Sequence, residues 1–219
     1  MRSMHLRSLT IALAALALAA IGPTASASAK PKPAPPKSSG APAYKLANVG
    51  PFGGEPTIAA NSKGELYDTT PSGGTLLYKS TNHGSTWTKA TTADPSSGDD
   101  CVFTDQANAV YECNLAGSED TAPLQADVWK SVDDGKTWKY GNNNVDLAAG
   151  SNVCGTSCNP FGVDRQWGAA YIPPGGTTSN ALVALAYHDF YGPSQIWVNV
   201  SNDGGKTFGA PIDSWPTSP

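Results

Sequence analysis

The stretches STNHGSTW (residues 80–87), SVDDGKTW (131–138) and SNDGGKTF (201–208) are one eight-residue phrase written three times. A catalytic site is built once, so a phrase that returns every 50 to 70 residues marks structural punctuation in a repeat architecture. Short runs rich in aromatic and β-branched residues lead into each serine: TLLYK before Ser80, ADVWK before Ser131 and IWVNV before Ser201. Three positions ahead of each serine stands an aliphatic residue, Leu77, Val128 and Val198. Two more strand-like runs lie upstream in each unit, EPTIAA with ELYDTT, CVFT with AVYECN, and QWGAAY with ALVALAY. Strand, turn, strand, loop, strand, Asp-rich turn, strand is the order of a four-stranded antiparallel blade. The fold class this predicts is all-β, a β-propeller of which about three blades are present. A β-sandwich also spaces short strands evenly, but it has no need of a shared turn phrase.

The residue types in the phrase have a physical reason. An Asp or Asn two residues into a tight turn accepts hydrogen bonds from the backbone N–H groups of that turn, and a glycine takes a conformation that a β-carbon penalises. The closing aromatic fills space beside the next blade. An EF-hand calcium loop would need more carboxylates at a fixed spacing that SVDDGKTW lacks. The phrase resembles the Asp-box, or BNR repeat, of the sialidase family, whose pattern is Ser-x-Asp-x-Gly-x-Thr-Trp. Ser131, Asp133, Gly135, Thr137 and Trp138 match it throughout. Ser201, Asp203, Gly205 and Thr207 match with Phe208 in the aromatic place, and Ser80, Gly84, Thr86 and Trp87 match with Asn82 in place of Asp. VDRQWGAAY and YHDFYGPSQIWVNVSNDGGKTF also resemble segments of secreted bacterial sialidase-like proteins, so the resemblance covers roughly residues 50 to 212.

The ends of the chain set its organisation. Arg2 and Arg7, an apolar run from Ile11 to Ile21 and the small residues Ala25 to Ala29 read as a secretory signal peptide over residues 1–29, too short in its apolar part to span a bilayer. An uncleaved anchor is the rival reading. Residues 30–43 form a Pro- and Lys-rich disordered linker, and the blades divide at about 44–97, 98–150 and 151–219. The expected localisation is secreted. Loss of Arg2 and Arg7 leaves a mature charge of about −6 without a basic cluster, which argues against nucleic acid or an anionic membrane as partner. A symmetric hairpin centred on Ala107 sets Cys101 opposite Cys113, at a cross-strand distance suited to a disulfide, and Cys154 then pairs with Cys158 by elimination. A four-cysteine zinc site would need paired CxxC spacing, so no metal and no cofactor is expected. The sequence NVS at Asn199 is a formal glycosylation sequon.

In the resembling family the boxes join the third and fourth strands, on the face opposite the active site. That places the loops leading into first strands, and those joining second to third, on the functional face. Here these loops hold Glu55, Asp99 and Asp100, Asp164 and Arg165 on the one hand, and Asp68, Glu119 and Asp120, His188 and Asp189 on the other. The bland account of any one of them is that loops are polar and acids cap turns; their recurrence in three units is what suggests a shared rim. Trp167 and Tyr191 add rings able to stack on sugars. The resemblance implies a six-bladed propeller acting on glycans with an arginine triad, an Asp acid and a Tyr–Glu nucleophile pair. After the signal peptide this chain has only Arg165, and no Phe-Arg-Ile-Pro motif. The expectation is a secreted sialidase-like protein that acts on or recognises glycans or glycoproteins, incomplete as a catalyst, with remaining blades missing from the chain. A non-catalytic, protein-binding Asp-box propeller is the alternative.

Overall fold

The computed structural model describes residues 45–50, 52–118, 122–140, 163–189 and 196–214. The signal peptide, the linker, Tyr191 and the Cys154 and Cys158 pair lie outside them, as do Glu119 and Asp120. The first sheet contains β1 (Thr57–Ala60), β2 (Leu66–Pro71), β3 (Thr75–Ser80) and β4 (Thr88–Ala90). The second contains β5 (Asp100–Thr104), β6 (Val110–Ser118), β7 (Ala122–Ser131) and β8 (Lys139–Tyr140). The third contains β9 (Val163–Tyr171), β10 (Leu182–Asp189), β11 (Ile196–Ser201) and β12 (Ile212–Asp213). Each is an antiparallel meander with its strands in chain order, and no α-helix occurs among the described residues. These are three blades of a propeller, not closed into a ring.

The repeated phrase joins the third strand to the fourth in every blade, and the same residue positions bond to one another each time, with one bond reversed in the first blade. Ser131 Oγ donates to Asp133 Oδ1 at 2.8 Å and accepts from Gly135 N at 2.9 Å. Asp133 takes Thr137 N on Oδ1 at 2.9 Å and the Thr137 hydroxyl on Oδ2 at 2.6 Å. Ser201, Asp203, Gly205 and Thr207 repeat this at 2.7–2.9 Å. In the first blade Asn82 Oδ1 accepts from Ser80 Oγ and Thr86 N, while its amide nitrogen donates to the Thr86 hydroxyl at 2.8 Å. Gly84, Gly135 and Gly205 sit at φ of 79°, 80° and 88°, the left-handed region that a side chain resists. The Thr137 hydroxyl and backbone, with Ser131, hold the Asp133 carboxyl well below the usual carboxylate range. The boxes are thus satisfied from within.

Strand registers put the repeats on a common frame. Ser80, Ser131 and Ser201 lie opposite Leu66, Val110 and Val183, and two residues further on Asp68, Glu112 and Leu185 lie opposite Ile58, Val102 and Gly168 of the inner strands. Alternation along the strands then gives each blade two packing faces. Tyr67 and Leu77 of the first blade meet Val102 and Val110 of the second, and the box glycine Gly135 sits against Tyr67 and Leu77. Tyr111 and Val128, the equivalents in the second blade, receive Gly205 of the third within a core that includes Val183, Leu185, Tyr187, Trp197 and Phe208. Trp138 Nε1 donates across the gap to Thr91 O at 2.8 Å, so the box aromatic ties its blade to the preceding one. In the third blade the same positions are Ala184 and Val198, flanked by the exposed Leu182, Ile196 and Ile212.

Cys101 and Cys113 face each other in the β5–β6 register and form a disulfide, with Cα atoms 5.0 Å apart. Asn199 is not a glycosylation site in this fold. It is buried, its Oδ1 accepts from the Tyr187 hydroxyl at 2.8 Å, and its Nδ2 donates to Gly209 O at 2.7 Å.

Candidate functional site at the mouth of the inner strands

β1, β5 and β9 stand side by side as the inner strands. Val102 N donates to Thr57 Oγ1 at 2.9 Å between the first two, and the Phe103 ring lies directly on Gly168 between the second pair. The residues three positions before Ile58, Val102 and Gly168 are Glu55, Asp99 and Arg165, one per blade. They converge on a cleft of about 150 Å³ lined also by Pro56, Thr57, Asp100, Gln166 and Trp167. The Arg165 guanidinium forms an ion pair with Glu55, and both residues hold left-handed backbone, at φ of 54° and 31°. Sparsely populated conformations of this kind persist only where the surroundings enforce them. At Arg165 the cause is visible: the β9–β10 register shifts between Ala186 and His188, so a bulge turns this side chain out of the pleat.

The acids of the cleft are poorly compensated. Burial first, then the charges of Glu55 and Asp164, raise the Asp99 carboxyl, and only the Asp100 N–H and Arg165 oppose them. Asp100 is 3% exposed and burial pushes it up to about 6, with Asp99 and Asp68 adding to the rise. The hydroxyls of Thr69 and Thr75 temper that rise, but neither Asp100 oxygen has a donor at hydrogen-bond geometry among the described residues. Gln166, also 3% exposed, donates its Nε2 to Asp99 O at 3.0 Å, and its Oε1 has no donor among the described residues. One layer deeper Glu112 is buried between the first two blades and accepts from Thr92 Oγ1 and Ala93 N at 2.9 and 2.8 Å. Trp167 is 58% exposed at the lip, a flat apolar surface beside this polar cup.

Of the residues singled out in the sequence, the cleft gathers Glu55, Asp99, Asp100, Arg165 and Trp167, and Asp164 lies within electrostatic reach of Asp99. Asp164 and Arg165 belong to strand β9 rather than to a preceding loop, and Asp100 opens strand β5. Asp68 is likewise not in a loop: it is a buried residue of β2, facing a separate hollow formed with Asn48, Val49, Gly53 and Tyr78. The repeat explains this, because Asp68 is the counterpart of Glu112. His188 and Asp189 close β10 opposite Asp164 and Val163, and His188 does not line the cleft. Gln166 and Glu112 were not singled out from the sequence. Gln166 was open to discovery as the neighbour of Arg165 in VDRQWGAAY, whereas nothing in YEC distinguishes Glu112 from an exposed strand acid. No cluster of three or more His, Cys, Asp or Glu residues set to hold a metal occurs among the described residues.

No family model matches this sequence, and no curated protein matches it. Solved structures do. The chain superposes on the Penicillium chrysogenum alpha-L-arabinanase complexed with arabinobiose with a TM-score of 0.50 at 15% identity, covering 74% of this chain and 50% of that one. An alpha-L-arabinofuranosidase of Fusarium graminearum in complex with arabinobiose gives 0.46 at 15% identity, over 74% of this chain and 48% of the other. A fucose lectin from Kordia zhangzhouensis with methyl-fucoside gives 0.42 at 10% identity, over 75% of this chain and all of the lectin. The chain spans about half the length of the arabinanase. What the first of these likenesses shows is the propeller fold.

Proposed function

We propose that this chain is part of a secreted, sialidase-like propeller that recognises glycans at the mouth of its inner strands and is not by itself a glycosidase. The observation that carries the reading is the convergence of one repeat position, Glu55, Asp99 and Arg165, on a cleft edged by the exposed Trp167. Propeller sites draw their groups from several blades in this way, and an exposed indole beside carboxylates suits a sugar's apolar face and hydroxyl edge. The same fold holds arabinobiose in the Penicillium chrysogenum arabinanase. Sialidase-type catalysis would need several arginines gathered on a substrate carboxylate. Here the single arginine of the cleft is already engaged by Glu55.

A glycan array probed with the purified chain tests the proposal, with a fluorogenic sialoside as the second readout. Binding to defined sugars that weakens in Trp167→Ala, without sialoside turnover, is the expected result. A blank array together with specific capture of a protein from the producing culture would overturn it in favour of a protein-binding propeller. Turnover that tracks the protein and disappears in Arg165→Ala would refute the non-catalytic part.

A further inference from the structure

Each end of the row of blades presents one half of an interface that the chain forms twice within itself. Between the first two blades, Val102 and Val110 on the leading face of the second meet Tyr67 and Leu77 on the trailing face of the first, and the box glycine Gly135 lies against the same pair. Between the second and third, Val183 and Gly205 pack with Tyr111 and Val128. The leading face of the first blade repeats these parts without a blade before it. Ile58 and Leu66 hold the positions of Val102 and Val110, yet Ile58 is 63% exposed where Val102 is 6%. The atoms nearest the box glycine Gly84 belong to Leu66 and Trp87 of its own blade.

The trailing face of the third blade is the other half. Ala184 and Val198 hold the positions of Tyr67 with Leu77 and of Tyr111 with Val128, and Tyr171, Leu182, Ile196 and Ile212 around them are 37–62% exposed. The volumes are complementary: Ala184 is smaller than the tyrosines at its position, and Leu66 is larger than Val110 and Val183 at its own. Contiguous apolar faces of this kind are seldom left bare on a monomer. Propellers close at roughly four to eight blades. One copy of this chain supplies three, two supply six and three would supply nine. We propose that two copies pack head to tail, the leading face of each first blade on the trailing face of the other copy's third, and close a six-bladed ring about a two-fold axis. Unlike faces meet in this ring, and because the rotation completes a circle the assembly stops at the dimer. The pairing does not depend on the glycan reading.

Sedimentation velocity of the purified chain across a concentration series reads this directly. The expected result is a species of twice the mass found under denaturing conditions, with nothing larger. Ile58→Asp on the leading face and Leu182→Asp on the trailing face each set an unpaired charge into the contact and should each shift the chain to the monomer mass, with the circular dichroism of the sheets retained. Ile212→Asp, at a residue 62% exposed, is the second trailing-face variant should Leu182→Asp fail to fold. A monomer at every concentration would overturn the pairing, and a ladder of masses beyond the dimer would overturn its closure. A dimer that survives either Ile58→Asp or the trailing-face variants would show that unlike faces do not meet, and would overturn the ring.

Discussion

Replacing Glu112 with Gln tests how the first two blades are held together. The side chain is fully buried, Oε2 serves Thr92 and Ala93, and Oε1 has no donor among the described residues. Burial, and after it the charge of Asp100, pushes this carboxyl from 4.5 up to about 7, in spite of the bonds from Ala93 and Thr92 and the opposing Asn114 side chain. The folded protein therefore keeps a proton on Glu112 that the unfolded chain has released between about pH 4.5 and pH 7. Stability must fall as pH rises through that window. At 1.36 kcal/mol per pH unit the full loss is about 3 kcal/mol, or roughly 6–12 °C in Tm for a domain of this size. Glutamine keeps an acceptor for Thr92 and Ala93 and has nothing to ionise. Urea unfolding at half-unit steps from pH 4.5 to 8 should show wild type and Glu112→Gln near parity at the acid end. The variant should then lead by about 3 kcal/mol at the alkaline end. Asp68 and Asp100, each raised to about 6 mainly by burial, tilt both curves alike. Two parallel curves across the range would refute the claim that Glu112 is held protonated between the blades.

Two further substitutions probe the turns and the inner strands. Asp203→Ala removes the acceptor of Lys206 N, Thr207 N and the Thr207 hydroxyl and should cost about 1 kcal/mol in denaturant unfolding, since these groups are exposed enough for water to replace part of the loss. The variant's affinity for sugars should be unchanged; a selective loss of binding at unaltered stability would mean that the box is a ligand site. Gly168→Ala places a methyl group into the Phe103 ring, which is itself stacked on Tyr111 at 4.9 Å, and should destabilise by about 1–3 kcal/mol in the same assay. An unchanged midpoint would show that the second and third blades do not pack through this contact.

The blade pattern was legible because it is written locally. Ser131, Asp133, Gly135 and Thr137 bond mainly to one another, so eight residues announce the turn, and the aromatic runs ahead of each serine announce its strand. The opposition of Cys101 and Cys113 follows from hairpin symmetry for the same reason. The mouth is written in no single segment. The recurrence of Glu55, Asp99 with Asp100, and Asp164 with Arg165 ahead of three first strands is legible in the sequence, but which residue of each pair is equivalent to Glu55 emerges only from strand registers. The bulge that turns Arg165 outward hides inside a run that reads as regular strand. Asp68 misled in the other direction: a carboxylate in LYDTTP looks like a loop acid, yet it is a buried residue of β2, paired with Ile58 of β1 and Tyr78 of β3.

Indole N–H resonances give the most direct test of the division between a glycan-binding mouth and structural boxes, because Trp167 marks the former while Trp87 and Trp138 mark the latter. Titration of the nitrogen-15-labelled chain with the sugar bound best on the array should shift and saturate the Trp167 signal, together with the Gln166 side-chain amide. Trp87, whose Nε1 donates to Gly84 O at 3.1 Å, and Trp138, bonded to Thr91 O, should stay in place. Saturating shifts at Trp87 or Trp138 with a silent Trp167 would contradict the account.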